Sequence, residues 1–212
     1  AYPVGGGVRD LLLGREPLDW DVTTSARPEQ VSALFPRVIP TGIRHGTVTL
    51  PTPDGPIEIT AFRGESGYSD HRHPDGVRFG VSLEEDLSRR DFTVNALALA
   101  PDGGIIDRFG GLEDLSAKVL RCVGDPACRF NEDALRMFRA VRFSAQLGFT
   151  LEERTRAALF SCAEGAFSVA AERVLTEVQR LLCAPRPEQA ALLFQAGLMA
   201  PFTSARPGEL DG

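Results

Sequence analysis

Two aspartates flanking a tryptophan, Asp19-Trp20-Asp21, constrain this chain most, because of what stands on either side. Upstream lies Gly5-Gly6-Gly7-Val8-Arg9-Asp10, and downstream Val22-Thr23-Thr24 continues a β-branched run. β-Branched residues favour strands, and residues two apart on a strand share a face. Residues 19–24 are therefore expected to form a strand that projects both carboxylates from one face and packs Trp20 on the other. Parallel carboxylates repel unless a cation lies between them, and hard oxygen donors on this pitch suit Mg²⁺. A glycine turn entering a helix offers backbone N–H groups to phosphate. Together these features point to phosphoryl or nucleotidyl transfer with two metal ions. A lone Asp-x-Asp is more often a surface turn or a solvated strand face. The upstream glycines, Arg9 and Thr23 make this one far more specific.

The bulk properties narrow the class. A length of 212 residues allows one or two domains with ample core. No apolar run reaches membrane-spanning length, and no signal peptide is visible, so a cytoplasmic protein is expected. The chain starts at Ala1 and enters the glycine motif almost at once, which suggests that N-terminal sequence is missing. Cys122, Cys128, Cys162 and Cys183 form no C-x-x-C pair and have no histidine cluster, so buried free thiols are expected rather than zinc. A formal charge of −6 argues against indiscriminate nucleic-acid binding but not against a local basic channel. Lys118 is the only lysine, so nearly all positive charge is guanidinium, a planar fork suited to phosphate and base edges.

The pattern along the chain is α+β followed by all-α. Residues 1–124 read as mixed: a strand ending at 2–4, a helix at 8–13 closed by Gly14, the strand at 19–24, and a helix at 28–35. Paired strands follow at 47–50 and 57–62 about the turn Pro53-Asp54-Gly55. Helix is expected over much of 83–98, and a short extended piece at 104–107. From 131 to 195 the periodicity is helical, with one helix carrying Ala134, Leu135, Phe138, Val141, Arg142 and Ala145 and ended by Gly148. Two more are expected at 152–162 and 170–182. The boundary is placed near Asp125-Pro126, giving domains at 1–124 and 125–200, and a Pro/Gly/Ser-rich tail at 201–212 expected to be poorly ordered.

Three further motifs carry chemistry. In Ile57-Glu58-Ile59-Thr60, alternation sets Glu58 apart from its apolar neighbours; it is either a solvated strand carboxylate or a third acid beside the Asp pair, as metal ligand or base. In Arg89-Arg90-Asp91-Phe92-Thr93-Val94-Asn95-Ala96, Asp91 and Asn95 lie one helical turn apart if the segment is helical. Arg90 could then bind triphosphate while Asp91 or Asn95 reads a ribose hydroxyl; the bland alternative is surface pairing with Glu84, Glu85 and Asp86. In Glu132-Asp133-x-x-Arg136-x-x-Arg139-x-x-Arg142, three-residue steps on a helix make a slanted stripe. Such a stripe is ordinarily a salt-bridged solvated face, but its common spacing and its place just past the boundary argue for function.

These ordered motifs, with Asp107-Arg108-Phe109-Gly110-Gly111 and Ala171-Glu172-Arg173 through Glu177, resemble the class II CCA-adding tRNA nucleotidyltransferases and bacterial poly(A) polymerases of the polymerase-β-like superfamily. The resemblance covers residues 3 to about 182. It implies a nucleotidyltransferase head with a small mixed sheet, then a helical neck. It implies that Gly6 and Arg9 bind the incoming nucleotide, that Asp19 and Asp21 bind Mg²⁺, and that Glu58 is the third carboxylate. Arg90 would contact triphosphate, Asp91 the sugar, Asp133 and Arg136 the base, and Arg139 and Arg142 the base or phosphates. The implied partners are CTP, ATP and the tRNA 3′ end, and the chain stops about where the family's tRNA-gripping body should begin.

Cytosine and adenine share an amino donor beside a ring-nitrogen acceptor, whereas uracil and guanine present a carbonyl beside a ring N–H. A carboxylate and a guanidinium at Asp133 and Arg136 match the first pair, and each mismatch costs about 1–3 kcal/mol. The Thr41-Gly42-Ile43-Arg44-His45-Gly46-Thr47-Val48 segment favours CCA addition over poly(A) synthesis, while CC-only and A-only enzymes share the same head. A sugar-nucleotide glycosyltransferase would explain Asp-x-Asp but not the later motifs, and an inactive RNA-binding module would not need Asp19, Asp21 and Arg90 intact. His45, His71 and His73 read as loop residues. Asp70-His71-Arg72-His73-Pro74 is expected to be a mobile loop over the site, with Arg63, Arg72 and Arg78 lending positive charge.

Overall fold

Alternation through residues 57–61 builds the centre of a seven-stranded sheet in the computed structural model, which describes residues 1–68 and 74–203. The chain parts into two units. The first takes in Ala1–Gly67 and Asp75–Ala117, and the second runs from Lys118 onward, together with Tyr68 and Pro74.

The elements of the first unit are β1 (Tyr2–Val4), α1 (Gly6–Leu12), β2 (Trp20–Thr24), α2 (Pro28–Leu34), β3 (Ile39–Gly42), β4 (Thr47–Thr52), β5 (Gly55–Ala61), β6 (Arg63–Ser66), β7 (Gly76–Phe79), α3 (Leu83–Ser88), β8 (Leu97–Leu99), β9 (Ile105–Asp107) and α4 (Gly111–Ala117). The sheet order is β3-β4-β5-β2-β1-β8-β9, and β6 and β7 form a separate hairpin. β2 and β5 run parallel, while the other neighbours in the large sheet are antiparallel.

Each face of the sheet buries its own cluster. Val22, Ile57 and Ile59 join Val48 and Leu50 against Val31 of α2. On the other side Val4 and Ala98 pack on Leu87 of α3, flanked by Tyr2, Leu83, Ile106 and Phe109. Leu87 and Val4 are wholly buried, and burying such a side chain contributes about 1.5–3 kcal/mol. α1 lies so close to the start of β2 that a Cβ on Gly7 would meet the Asp19 carbonyl oxygen and the Trp20 ring, each at 3.0 Å.

The expected helix over 83–98 is much shorter. α3 stops at Ser88, Phe92 is extended, Thr93–Asn95 makes one 3-10 turn, and β8 follows. The break has a local cause: the Asp91 carboxylate accepts the Phe92 N–H at 2.8 Å, which competes with a helical bond. Further on, Asp107 receives the N–H groups of Phe109, Gly111 and Leu112 at 3.1, 3.0 and 2.9 Å, so its carboxylate caps α4. Gly110 takes φ +76° in that turn, and Gly111 is pressed against the Thr93 carbonyl. The Asp-x-x-Gly-Gly motif is thus a capped turn that docks α4 on the 3-10 segment.

The second unit contains β10 (Val119–Leu120), α5 (Pro126–Glu132), α6 (Leu135–Leu147), β11 (Thr150–Leu151), α7 (Glu153–Ser161), α8 (Ala171–Leu182), α9 (Ala191–Gln195) and α10 (Ala200–Thr203). Its centre is α6, where Met137, Phe138, Ala140, Val141 and Ala145 are inaccessible and Gly148 ends the helix in the left-handed conformation. Three corrections follow. The units part before Lys118 rather than near Asp125, because Val119 and Leu120 pair in parallel with Thr150 and Leu151 and so belong with the helices. Asp133 is extended between α5 and α6, so it does not share a helix with Arg136, Arg139 and Arg142. All four cysteines are free as expected, but Cys122 alone is buried, and Cys128 and Cys183 are exposed. Residues 69–73 of the expected loop and 204–212 of the expected tail lie outside the described residues, whereas residues 201–203 are helical. Among the described residues no helix is long and apolar enough to cross a membrane.

Gly111→Ala is expected to destabilise the protein by about 1–3 kcal/mol, since a Cβ there collides with backbone rather than with a flexible side chain. Urea denaturation of the variant against Gly104→Ala, whose Cβ meets only the Asp102 side chain, checks this. Equal midpoints would contradict it.

Candidate active site

Register on the sheet gathers the expected acidic residues. Asp21 on β2 is the in-register partner of Glu58 on the parallel strand β5, so the two side chains leave the same face side by side. Asp19 precedes β2 by one residue and joins them electrostatically. The Glu58 carboxyl is held above its ordinary proton affinity by burial, then by the charge of Asp21, then by that of Asp19. Three carboxylates therefore feel one another here.

Arg90 approaches this acidic group across a glycine. Gly5 has φ +73°, and a Cβ on it would stand 3.0 Å from Arg90 Nη1 and 3.5 Å from Asp21 Oδ2. The missing side chain leaves a cleft with a guanidinium on one wall and a carboxylate on the other. Arg90 Nε is buried and has no hydrogen-bond partner, a donor that a phosphate oxygen would satisfy.

A fully buried carboxylate holds that arginine in place. Asp86 lies on α3 with no exposed area. Its Oδ2 accepts from Thr23 Oγ1 at 2.9 Å and stands 3.8 Å from Arg90 Nη2; its Oδ1 accepts from Arg89 at 2.7 and 3.1 Å and from the Arg63 N–H at 3.3 Å. Burial alone would raise its pKa, but Arg89, Arg90 and these hydrogen bonds outweigh burial and hold it below the ordinary value. The sequence offered Asp86 only as a surface-pairing alternative for the arginines; the pairing is there, but buried. The signal missed is Thr23, whose β-strand parity turns its hydroxyl to the same face as Asp21.

Gly6, Arg9, Asp91 and Asn95 are brought together, but chiefly with each other. Arg9 is 3% exposed; its Nη1 donates to Asn95 Oδ1 at 2.6 Å, and Asn95 Nδ2 donates to Asp91 Oδ1 at 3.0 Å. A Cβ on Gly6 would sit 3.6 Å from Arg9 Nη2, so this buried chain underlies the glycine turn. Asp91 and Asn95 do meet, though not as neighbours on one α-helix.

In the second unit, α6 is buried nearly all round. Of its residues, Arg136, Arg139 and Gln146 alone fall short of full burial, so of the expected stripe on this helix only Arg136 and Arg139 are accessible. Arg136 Nη1 donates to Glu132 Oε2 at 2.7 Å and to the Arg129 carbonyl at 3.4 Å, and Arg139 lies 5.3 Å from the Phe143 ring. Arg142 departs from the stripe: it is 5% exposed, pairs with buried Glu177 of α8, and stacks 3.7 Å over Phe143. Asp133 is engaged by Arg173 of α8.

The donor set fits magnesium. Mg²⁺ takes one or two carboxylates and fills its remaining positions with water and phosphate oxygens. Asp21 and Glu58 on one sheet face, with Asp19 just before β2 and a glycine cleft beside them, are such a set. Among the described residues no group of three or more His, Cys, Asp or Glu side chains is arranged to hold a metal ion by itself.

The family model of the poly(A) polymerase head domain matches residues 1–121, more than half of the chain. The chain belongs to the family of CCA-adding tRNA nucleotidyltransferases and bacterial poly(A) polymerases. A second model of this family, described as "Probable RNA and SrmB- binding site of polymerase A", matches residues 148–205. The CCA-adding enzyme of Lactobacillus helveticus is 53% identical over 194 residues, covering 92% of this chain and 49% of that one. That of Anoxybacillus flavithermus is 50% identical over 201 residues, covering 94% and 51%. The Bacillus stearothermophilus CCA-adding enzyme in complex with CTP superimposes with a TM-score of 0.85 at 45% identity, over 93% of this chain and 48% of that one. A tRNA nucleotidyltransferase complexed with a primer tRNA and an incoming ATP analog gives 0.79 at 31% identity, over 96% and 59%. The chain spans about half the length of the curated relatives it matches.

The raised Glu58 pKa carries a testable sign. The folded state binds that proton more tightly than the unfolded chain, so the ionised form lowers stability. This cost is absent below about the unfolded value of 4.5 and complete once the pH exceeds the folded value. At neutral pH without divalent ions, Glu58→Gln should melt at a higher temperature than the parent. Adding Mg²⁺ should raise the parent's Tm more than the variant's. Equal responses to Mg²⁺ in thermal melts would separate Glu58 from the cation site.

Proposed function

We propose that this chain carries the catalytic head and base-selecting region of a CCA-adding tRNA nucleotidyltransferase. The observation that supports this best is the acidic face of Asp19, Asp21 and Glu58 opposite Arg90 across Gly5. The likeness to a CCA-adding enzyme in complex with CTP supports it at 45% identity.

The residues divide the work by chemistry. Asp19 and Asp21 hold Mg²⁺, with Glu58 as a third acid beside them. Mg²⁺ supplies Lewis-acid stabilisation of phosphate oxygens and lowers the pKa of a bound hydroxyl. The RNA 3′-hydroxyl attacks the α-phosphorus of CTP or ATP in line; a new phosphodiester forms, the α–β bridge bond breaks, and pyrophosphate leaves. Arg90 gives its orphaned Nε–H and its charge to the triphosphate. Arg9, Asn95 and Asp91 hold the glycine turn in shape around Gly6. Asp133 accepts from the exocyclic amino group of cytosine or adenine, and Arg136 donates to the ring nitrogen. Arg139 adds positive charge on the same stripe. Arg142, locked to Glu177, supports α6 rather than touching nucleotide.

The test is incubation with tRNA lacking its terminal CCA, with CTP and ATP offered singly and together. Sequential addition of two C and one A is expected. Long adenylate tracts from ATP alone would favour poly(A) synthesis, after which the family model is named. Asp19→Ala should abolish transfer yet change stability by no more than about 0.5 kcal/mol, because Asp19 is exposed. Full activity in that variant would contradict the two-metal reading. Arg136→Ala should admit UTP and GTP while Mg²⁺ dependence is retained; unchanged base preference with lost Mg²⁺ dependence would contradict the base-reading role.

A further inference from the structure

We infer that Glu65 is a positioning residue for triphosphate binding: by engaging Arg89 it reserves one oxygen of Asp86 for Arg90. The inference rests on the triphosphate role proposed for Arg90. Arg63 and Glu65 lie two residues apart on β6 and so share a face. The Glu65 side chain is 6% exposed, and its Oε1 accepts from Arg63 Nε at 2.8 Å and from Arg89 Nη1 at 3.0 Å. The other edge of the Arg89 guanidinium, Nε and Nη2, meets Asp86 at Oδ1, and Nε also reaches the Arg63 carbonyl oxygen at 3.1 Å. Asp86 Oδ2 is thereby kept for Thr23 and Arg90.

That division matters because two arginines compete for one carboxylate. Arg89 and Arg90 follow Asp86 by three and four residues, and both pair with it. An arginine without another partner engages a carboxylate fork to fork, across both oxygens. With Nη1 turned to Glu65, Arg89 covers Oδ1 alone. The two arginines also oppose each other: burial lowers the Arg90 proton affinity, Asp86 counters it, and the charge of Arg89 lowers it further. Among the described residues this cluster sets three guanidiniums, Arg63, Arg89 and Arg90, against two carboxylates, Asp86 and Glu65. Glu65 takes up Arg63 and Arg89, so the surplus positive charge falls to Arg90, whose buried Nε has no partner. Glu65 thus directs charge into the cleft without touching nucleotide.

The experiment is isothermal titration of CTP, with CMP read by displacement, both with Mg²⁺ present. The proteins are the parent, Glu65→Gln, Arg89→Gln, the double variant, Arg90→Gln and the control Arg186→Ala, whose ion pair with Glu188 is exposed. Thermal melts run alongside. The parent should prefer CTP to CMP, Arg90→Gln should cut that preference, and Arg186→Ala should match the parent. Glu65→Gln should cut the preference about fivefold or more, through CTP binding alone. With Arg89 gone Glu65 has no competitor to restrain, so the double variant should match Arg89→Gln. A Glu65→Gln protein that keeps or raises the CTP/CMP ratio overturns the inference, because loss of a nearby negative charge without repositioning strengthens triphosphate binding. Equal weakening of both nucleotides overturns it too. If Glu65→Gln does not fold, Arg89→Gln and the double variant decide: equal ratios support the inference, and a further loss in the double variant overturns it. If Arg90→Gln keeps the parent ratio, the triphosphate role itself fails, and the inference with it.

Discussion

The parallel, in-register pairing of β2 with β5 is the constraint on which this protein's chemistry rests. It sets Asp21 beside Glu58 with no intervening residue, and Asp19, just before the strand, adds its charge to them. A slip of one residue would turn Asp21 into the cluster around Val31 and bring Trp20 and Val22 to the face that carries Asp86. The apolar set Val22, Ile57 and Ile59 therefore fixes the register that the acids need. Burial of Glu58, and after it the repulsion from Asp21 and Asp19, is the cost, visible in its raised proton affinity. Burial of the apolar face offsets it in the folded protein, and a divalent cation would remove it.

The positive side of the cleft depends on Asp86 in the same way. An arginine with a buried, unpartnered Nε is unstable unless something else fixes its position. Asp86 does so while also accepting from Thr23, two residues beyond Asp21 on the same strand. One buried carboxylate thus ties the arginine side of the cleft to the strand of the acidic side. Removing one partner of such a buried pair costs about 3–5 kcal/mol, more than either charge would lose in solvent. The second unit repeats the principle with Arg142 and Glu177, where a buried pair joins α6 to α8.

What was legible in the sequence followed locality. Strand β2, the β4–β5 hairpin and the end of α6 at Gly148 were readable because alternation, turn residues and a left-handed glycine act over a few residues. The Asp19–Asp21 pair was readable for the same reason, whereas Glu58 joins it only through the pairing of β2 with β5. The segment at 83–98 was not, because good helix formers on both sides hide the poor ones at 91–95, where an Asp91 side-chain bond helps to break the helix. The break between α5 and α6 has no glycine or proline to announce it; the Asp133 carboxylate there accepts the Leu135 N–H and pairs with Arg173, forty positions away in sequence. Arg142 matched the stripe by spacing, yet its burial depends on Glu177, which spacing cannot show. The division at Lys118 follows from the β10–β11 pairing, a contact between distant segments.

Binding of Mn²⁺ followed by electron paramagnetic resonance tests the central claim most directly, because it reads the cation site without RNA or turnover. The account predicts that the parent depletes the free-ion signal, that Asp21→Asn leaves it nearly undiminished, and that Mg²⁺ competes for the same site. Unaltered Mn²⁺ binding by Asp21→Asn would mean that the acids gathered by the β2–β5 register are not where the metal sits.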